Sequence, residues 1–284
     1  MAKKRKVNEF RQERVDFAKS HAIAEREILP FIRKALKQTV APVIFHAKTY
    51  GLDNLMPEAL INKDVWSQVY PKIFNKLGMK FARAEYYRQR NLDRAIETKA
   101  SAIDFLIDVW TSQLRDYALR YTYQISRELN ETTLKIIREA LGSEYLLGLD
   151  GDAKIRLFIK DITGKFKLRA GNISRTESTT IANLGKDIGA RGWIEEAGGG
   201  GYKAWLGRND KKERHTHLEE NNTILPIDDF HIVGGEQCQR PGDVSLSAKE
   251  RIGCRCTETY MSNTRYQAYK KRGRIIGGKL IGAS

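Results

Sequence analysis

No apolar run in this sequence approaches the ~18–20 residues that a membrane-spanning helix requires. A membrane span is therefore not expected, and no signal-type apolar core follows the basic residues at the amino end. Cysteine is scarce: 3 in 284 residues, an odd number that cannot by itself build a disulfide framework of the secreted kind. The expectation is a soluble protein made in a reducing cytosol. Acidic residues are outnumbered, 35 against 50 Lys and Arg, leaving a net charge of +15. Such an excess points to an acidic partner rather than to any fold. Nucleic acid leads, because phosphate contacts release counterions; an anionic membrane or an acidic protein are the other candidates. Also missing are HExxH, P-loop and GxSxG motifs. The "AGGGG" run at 197–201 is not a GxGxxG following a strand, so a dinucleotide cradle is excluded, and it reads as a hairpin tip or loop.

What is present is helical patterning. From Asn8 to about Tyr50, Phe10, Val15, Phe17, Ile23, Ile28, Phe31, Ile32 and Leu36 recur at three- and four-residue steps between charges. Pro30 should kink or divide this helix, Pro42 again, and Gly51 should stop it. A second helical region, Lys63 to about Asn91, should be interrupted near Pro71 and Gly78. Ala95–Leu129 has neither Pro nor Gly and carries Ile103, Leu106, Ile107, Trp110, Leu114, Tyr117, Ala118 and Tyr121 at helical spacing. That stripe is most simply a helix-packing face; base stacking is the other reading. Asn130–Leu141 offers a further helix behind an Asn or Thr cap. A turn cluster at 148–152 precedes a short amphipathic segment, Lys154–Phe166, and a helix from about Ala170 to Ala190. Beyond Trp193 turns dominate, and "YKAWL", "TILPI", "FHIV" and "CRCTETYM" read as short strands.

The predicted fold class is α+β: a long-helix amino-terminal region followed by a small carboxyl-terminal α+β domain with short antiparallel strands. The chain divides into a helical region with a basic arm (1–125), the α+β domain (126–260) and a basic tail (261–284), in which six basic residues and no acid follow from Arg265. Lys3, Lys4, Arg5 and Lys6, in "KKRKV", resemble a nuclear localisation signal but read more simply as a solvated tail or a phosphate-touching arm. With Lys270, Lys271, Arg272 and Arg274 they are the candidate DNA contacts.

Few residues can carry chemistry. His215 and His217 stand two apart, on one face if they lie on a strand. With Cys238, Cys254 and Cys256 they could supply four nitrogen and sulfur ligands to tetrahedral zinc. The spacings are not the familiar zinc signatures, and the alternative makes each cysteine a small buried hydrophobe. A Cys254–Cys256 disulfide would close a very small ring. A cysteine nucleophile would need a base and an electropositive site, such as His217 and Arg255, which nothing in the sequence brings together. Asp210, Asp228, Asp229, Asn221 and Asn222 add residue types found in metal-dependent nucleases, although "LPIDDF" and Asn221-Asn222 read more economically as turns. Arg175 and Glu177 are expected to form a structural ion pair. If "IGCRC" lies on a closing strand, Cys254 and Cys256 pack inward near Trp205 and His217. Arg255 then reaches a carboxylate such as Asp243 or Glu177.

The segments "FKLRAGNISRTESTTIANLG", "KAWLGRNDKKERHTHLEENN", "DDFHIVGGEQCQRPGD" and "ERIGCRC" follow one another in an order and spacing that resemble the Mu F-type phage head-morphogenesis family. The matching positions are Arg169, Ala170, Ile173, Arg175, Thr176 and Glu177, then Trp205, Asp210, Arg214 and His217. Phe230, Pro241, Gly242, Asp243, Cys254, Arg255 and Cys256 complete the pattern, over roughly residues 125–260. Ser174 stands where the family usually has Ala. Asn221-Asn222 stands where Asp-Gly is frequent, and Asn tolerates the left-handed backbone such a turn needs. The resemblance implies a minor head (minor capsid) protein of a tailed phage, made in the host cytoplasm and placed in the virion head at the portal vertex. It implies portal protein, capsid or scaffold components and packaged double-stranded DNA as partners, with no membrane. Its role would be head assembly and the handling or ejection of packaged DNA, without catalysis and with no cofactor unless zinc is bound. The motif residues would be structural. The alternatives are a metal-dependent nuclease or toxin-like enzyme built on the His/Cys set, and a host-acting DNA-binding protein.

Overall fold

The structure, a computed structural model, describes residues 9–93 and 103–281. Lys3, Lys4, Arg5 and Lys6 lie outside the described residues. Helix α1 runs from Glu9 to Tyr50 with Pro30 and Pro42 inside it. The expected division at Pro30 does not occur. A proline removes one backbone bond, but Ile28, Ile32, Ala35 and Leu36 around it are all buried on one face and sustain the helix. Gly51, at φ +81°, ends it with a bond from its N–H to the Ala47 carbonyl. After the single turn α2 (Pro57–Leu60) comes α3 (Val65–Ile73). The expected interruption after Pro71 takes the form of one wide π turn, Phe74–Gly78, leading into α4 (Met79–Leu92).

Helix α5 spans Ile103–Leu141, so Asn130 does not start a new helix. The polar cluster is satisfied inside the turn: the Thr132 and Thr133 hydroxyls donate to the Glu128 and Leu129 carbonyls, one turn back. The Asn130 amide reaches the Lys63 carbonyl. Residues 95–102 of the expected helix lie outside the described residues. A 3-10 turn at Glu144–Leu146 precedes α6, which is continuous from Gly151 to Glu196. The expected separate segment at 154–166 and later start at Ala170 are therefore one helix. Gly164 and Gly171 cost it about 1 kcal/mol each, too little to break 46 residues.

By contact the described residues form two compact units of interleaved segments. One comprises 26–73 and 115–174. The other comprises the described parts of 1–25, 74–114 and 175–284. The division at 125 and 260 follows composition and runs along the chain instead. The former unit is all helical, with Trp66, Tyr70, Tyr121, Ile137, Phe158 and Ile162 buried and the Tyr70 and Tyr121 rings 5.5 Å apart. Arg169 ties α6 to α5 there, donating to Thr133 Oγ1 at 2.6 Å and the Leu129 carbonyl at 2.8 Å. Burial pulls its pKa down to about 10. The stripe on α5 is a packing face: Trp110, Leu114, Ala118 and Tyr121 are buried.

The latter unit carries the strands. β1 (Gly201–Leu206) lies between β2 (Ile224–Pro226) and β5 (Thr257–Ser262), antiparallel to both. β3 (His231–Val233) and β4 (Glu236–Cys238) form a hairpin through Gly234-Gly235, both at positive φ as a two-residue turn demands. Short helices α7 (His215–Glu220) and α8 (Ala248–Arg251) flank this hairpin in sequence. The described part of the basic tail is folded: α9 (Asn263–Lys271) and the hairpin β6 (Ile275–Ile276) to β7 (Lys279–Leu280) bury Tyr269, Ile275 and Leu280. These pack with Phe10, Leu206 and Met261. The fold class is α+β.

Helices α6 and α4 pack at close range. A Cβ at Gly185 would sit 2.4 Å from the Gly78 carbonyl oxygen, and one at Gly189 2.0 Å from that of Ala82. The G-x-x-x-G spacing puts both hydrogens on one face. Gly189→Ala should therefore destabilise the protein by about 2–3 kcal/mol in equilibrium urea unfolding. Gly171→Ala, where the added carbon meets nothing within 4 Å, should be neutral or stabilising. Equal effects of the two would remove the close-approach explanation.

Candidate functional site

One face of α6 is polar and buried, at the helical spacing Thr176, Thr179, Thr180, Asn183, Lys186. These side chains hold backbone rather than ligand. Thr176 Oγ1 accepts from the Gly253 N–H at 3.1 Å, and Thr179 Oγ1 donates to the Cys254 carbonyl at 2.7 Å. Thr180 donates to the Gly242 carbonyl at 2.8 Å. Asn183 Nδ2 donates to the carbonyls of Pro241 and Cys256, at 3.1 and 3.0 Å. The Pro-Gly-Asp turn and the Cys-Arg-Cys triplet are thus pinned to the same helix. Gly242, at φ +78°, faces Thr180 at a distance that leaves little room for a side chain. Asp243 closes its turn by accepting from the Ser245 N–H at 3.1 Å, and its other oxygen meets Arg240.

The triplet leads into β5 and is not part of it, since the strand begins at Thr257. Cys254 and Cys256 nevertheless face inward, buried with Trp205, Val233, Cys238 and Leu246. Arg255 points out to the loop after β1 and grips Asp210 with both guanidinium ends, at 2.5 and 2.7 Å. Its partner is thus not Asp243 or Glu177. Arg255 holds Asp210 below the usual carboxylate range. The Arg175–Glu177 pair does not form, because residues two apart on a helix point to different faces. Arg175 lies 3.5 Å from Glu25, while Glu177 is buried. Arg214 donates to the Glu250 and Ile252 carbonyls at the end of α8. Phe230 is half exposed rather than a core residue.

His215 and His217 lie on a helix rather than a strand, so they diverge. His215 is exposed beside Glu219 at 3.2 Å. His217 is buried, its Nδ1 3.3 Å from Cys256 Sγ and 3.6 Å from Cys254 Sγ. Its Nε2 is 3.2 Å from a Glu250 carboxylate oxygen that also accepts from the Thr216 hydroxyl at 2.8 Å. Cys238 shares the buried apolar cluster with Cys254 and Cys256, but its sulfur is not among the ligand atoms that converge on His217, and burial raises its thiol pKa. Of the five proposed zinc ligands, three therefore meet: His217, Cys254 and Cys256. Hydrogen bonds from Cys256 and His217 hold the Cys254 thiol well below its ordinary value, and Cys256 rises in turn. Burial alone would lower His217, but Cys254 and Glu250 carry it above its ordinary value. The adjoining cavity, about 80 Å³ and lined by Arg208, Lys212, Glu213, Arg214 and Arg255 among others, has room for an ion and a few waters.

No family model, curated protein or solved structure matches the chain.

The nuclease-type acids do not gather at His217. Asp228 pairs with Arg191 at 2.6 Å and is exposed. Asn221 and Asn222 form the expected turn, Asn222 at φ +68°, and both side-chain oxygens accept from Arg14. Of the basic candidates, Lys270, Lys271 and Arg272 are exposed at the end of α9. Arg274 is half-buried, over the Tyr269 ring and 3.7 Å from Glu9.

Sequence reasoning missed a second buried charge centre. His231 sits between Glu220 at 2.5 Å and Glu258 at 3.0 Å, and the Tyr260 hydroxyl donates to the other Glu258 oxygen at 2.6 Å. Lys203 Nζ, from β1, donates to the Gln239 carbonyl at 2.6 Å. A third centre, Lys186 with Glu13, Glu85 and Arg88, was equally hidden. The one available signal was charge inside strand-like runs, as in "TETYM", because every residue of β5 is buried and no alternation marks its polar members.

Proposed function

We propose that this chain is a minor head protein of a tailed phage, a non-catalytic virion component at the portal vertex acting in head assembly and in handling packaged DNA. The observation that carries the proposal is what happens to the motif residues. Arg214 and the Pro-Gly-Asp and Cys-Arg-Cys segments, scattered along the sequence, enter one web of backbone-anchoring bonds, largely on a single face of α6. Residues engaged in holding backbone in place suit a scaffold. The cavity at His217, about 80 Å³, is far below the ~300 Å³ of a typical ligand pocket, which favours the non-catalytic reading. The exposed Lys270, Lys271 and Arg272 offer phosphate contacts, with the portal and capsid or scaffold proteins as protein partners. No described helix is long and apolar enough to cross a membrane.

Quantitative mass spectrometry of purified heads and virions tests this reading. The chain should be present at low copy number relative to the major capsid protein. Its absence from both particles would sink the proposal.

A further inference from the structure

We propose that Glu213, His217, Cys254 and Cys256 form a closed, tetrahedral zinc site that locks the loop before α7 to the segment entering β5. The His217 Nδ1 and the two cysteine sulfurs all lie within 4.8 Å of one another. Glu213 adds a fourth ligand: its Oε1 is 3.7 Å from Cys256 Sγ. With metal–sulfur bonds of ~2.3 Å and metal–nitrogen or –oxygen bonds of ~2.0–2.1 Å, the edges of a zinc tetrahedron are ~3.5–3.8 Å. The observed 3.3, 3.6 and 3.7 Å edges come within a few tenths of an ångström of that. His217 Nδ1 and the two sulfurs therefore already outline three corners of the coordination shell, and Glu213 Oε1, beside the Cys256 sulfur, reaches the fourth by a small movement of its carboxylate.

The surroundings are built as a metal site needs. His217 uses Nε2 toward the Glu250 carboxylate, itself fixed by the Thr216 hydroxyl. This fixes the tautomer with its Nδ1 lone pair toward the sulfurs, the carboxylate–histidine–metal arrangement. The second oxygen of Glu213 accepts from the Asn209 N–H at 2.6 Å, which holds the carboxylate in line. A Cβ at position 207 would lie 1.9 Å from Glu213 Oε1, so Gly207 leaves the carboxylate room to sit where it does. Two thiolates and a carboxylate around a divalent ion carry one net negative charge, and Arg208, Arg214 and Arg255 line the same cavity. Sulfur and imidazole ligands select zinc over magnesium or calcium. His215 and Cys238 take no part. With four protein ligands no coordination position is left open for a substrate, so the metal would be structural.

The full chain, purified with reductant and without chelator, should carry one zinc ion by native mass spectrometry. After metal removal, cobalt(II) added to the wild-type chain should give a thiolate-to-metal charge-transfer absorption. Zinc should raise its Tm by ~5 °C or more. Cys238→Ser should keep one zinc, whereas Cys254→Ser and Cys256→Ser should lose it and Glu213→Ala should weaken binding ~10-fold or more. The wild-type measurements stand even if a cysteine variant fails to fold. A reduced wild-type chain that takes up neither zinc nor cobalt would overturn the site. Unchanged affinity in Glu213→Ala would overturn its closed, four-ligand form.

Discussion

Lys186→Met should lower the unfolding free energy by about 3–5 kcal/mol, read as a drop in the urea midpoint. Lys186 is 5% exposed. Its ammonium donates to Glu13 at 3.0 Å, to Thr257 Oγ1 at 3.1 Å and to the Glu258 carbonyl at 2.6 Å, with Glu85 at 4.0 Å. Arg88 shares the same two carboxylates, at 2.9 Å from Glu13 and 2.7 Å from Glu85. Burial would raise the Glu85 pKa, but Arg88 and Lys186 hold it below the usual carboxylate range. Methionine nearly matches the lysine stem in volume, so the loss measures charge rather than a cavity. It leaves two buried carboxylates facing one guanidinium. Adding Glu13→Gln to the variant should recover part of the loss, because it removes the charge left unpaired. A loss below ~1 kcal/mol for Lys186→Met, the range of exposed pairs, would show that water reaches this network. Since Glu85 titrates lower in the folded chain, its stabilisation is present above the unfolded value of about 4.3 and is lost as pH falls further.

Replacing His231 with glutamine should cost about 3–5 kcal/mol near pH 6, with the cost shrinking as pH rises. Burial alone would lower the His231 pKa, but Glu220 and Glu258 carry it above its ordinary value. A histidine raised in this way stabilises the fold fully below its unfolded pKa of about 6.5. That contribution disappears as pH climbs through the folded value, because the imidazolium between the two carboxylates loses its proton. His21 works in the opposite sense. Burial lowers it to about 4, so its stabilisation is present above about 6.5 and is lost as pH falls toward the folded value. The wild type's own pH profile mixes these with the raised His217, and the difference between wild type and His231→Gln isolates the clamp. Urea unfolding of both proteins at about pH 6 and about pH 9 measures it. A difference that widens with pH would mean that His231 is held neutral.

The helices were legible where apolar spacing is local. The α1 and α5 stripes, the stop at Gly51 and the turn at Asn222 all follow from neighbours a few residues away. Boundaries were misread wherever a local stop signal competed with burial. Pro30, Asn130 and the stretch before Ala170 each look like an end, but packing of the flanking apolar face outweighs one lost bond or one weak cap. The polar run "TESTTIANLGKD" belongs on the surface by hydropathy. It is buried because the backbone of two distant turns supplies its partners. Gly185 and Gly189 look like helix weaknesses until the approach of α4 gives them a reason.

The amino-acid sequence by itself determined the fold class and the basic charge, since periodicity, composition and turn chemistry act over a few residues. The inward placement of Cys254 and Cys256 needed the tertiary structure, because the triplet precedes β5 and strand alternation does not reach it. Only the tertiary structure decided which groups meet. It separated His215 from His217 by making α7 a helix, left Cys238 in the apolar core and gave Arg255 to Asp210. It also brought Glu213 to the Cys-His cluster. Side-chain partnership is set by the convergence of segments far apart in the chain, and residue spacing carries no information about that.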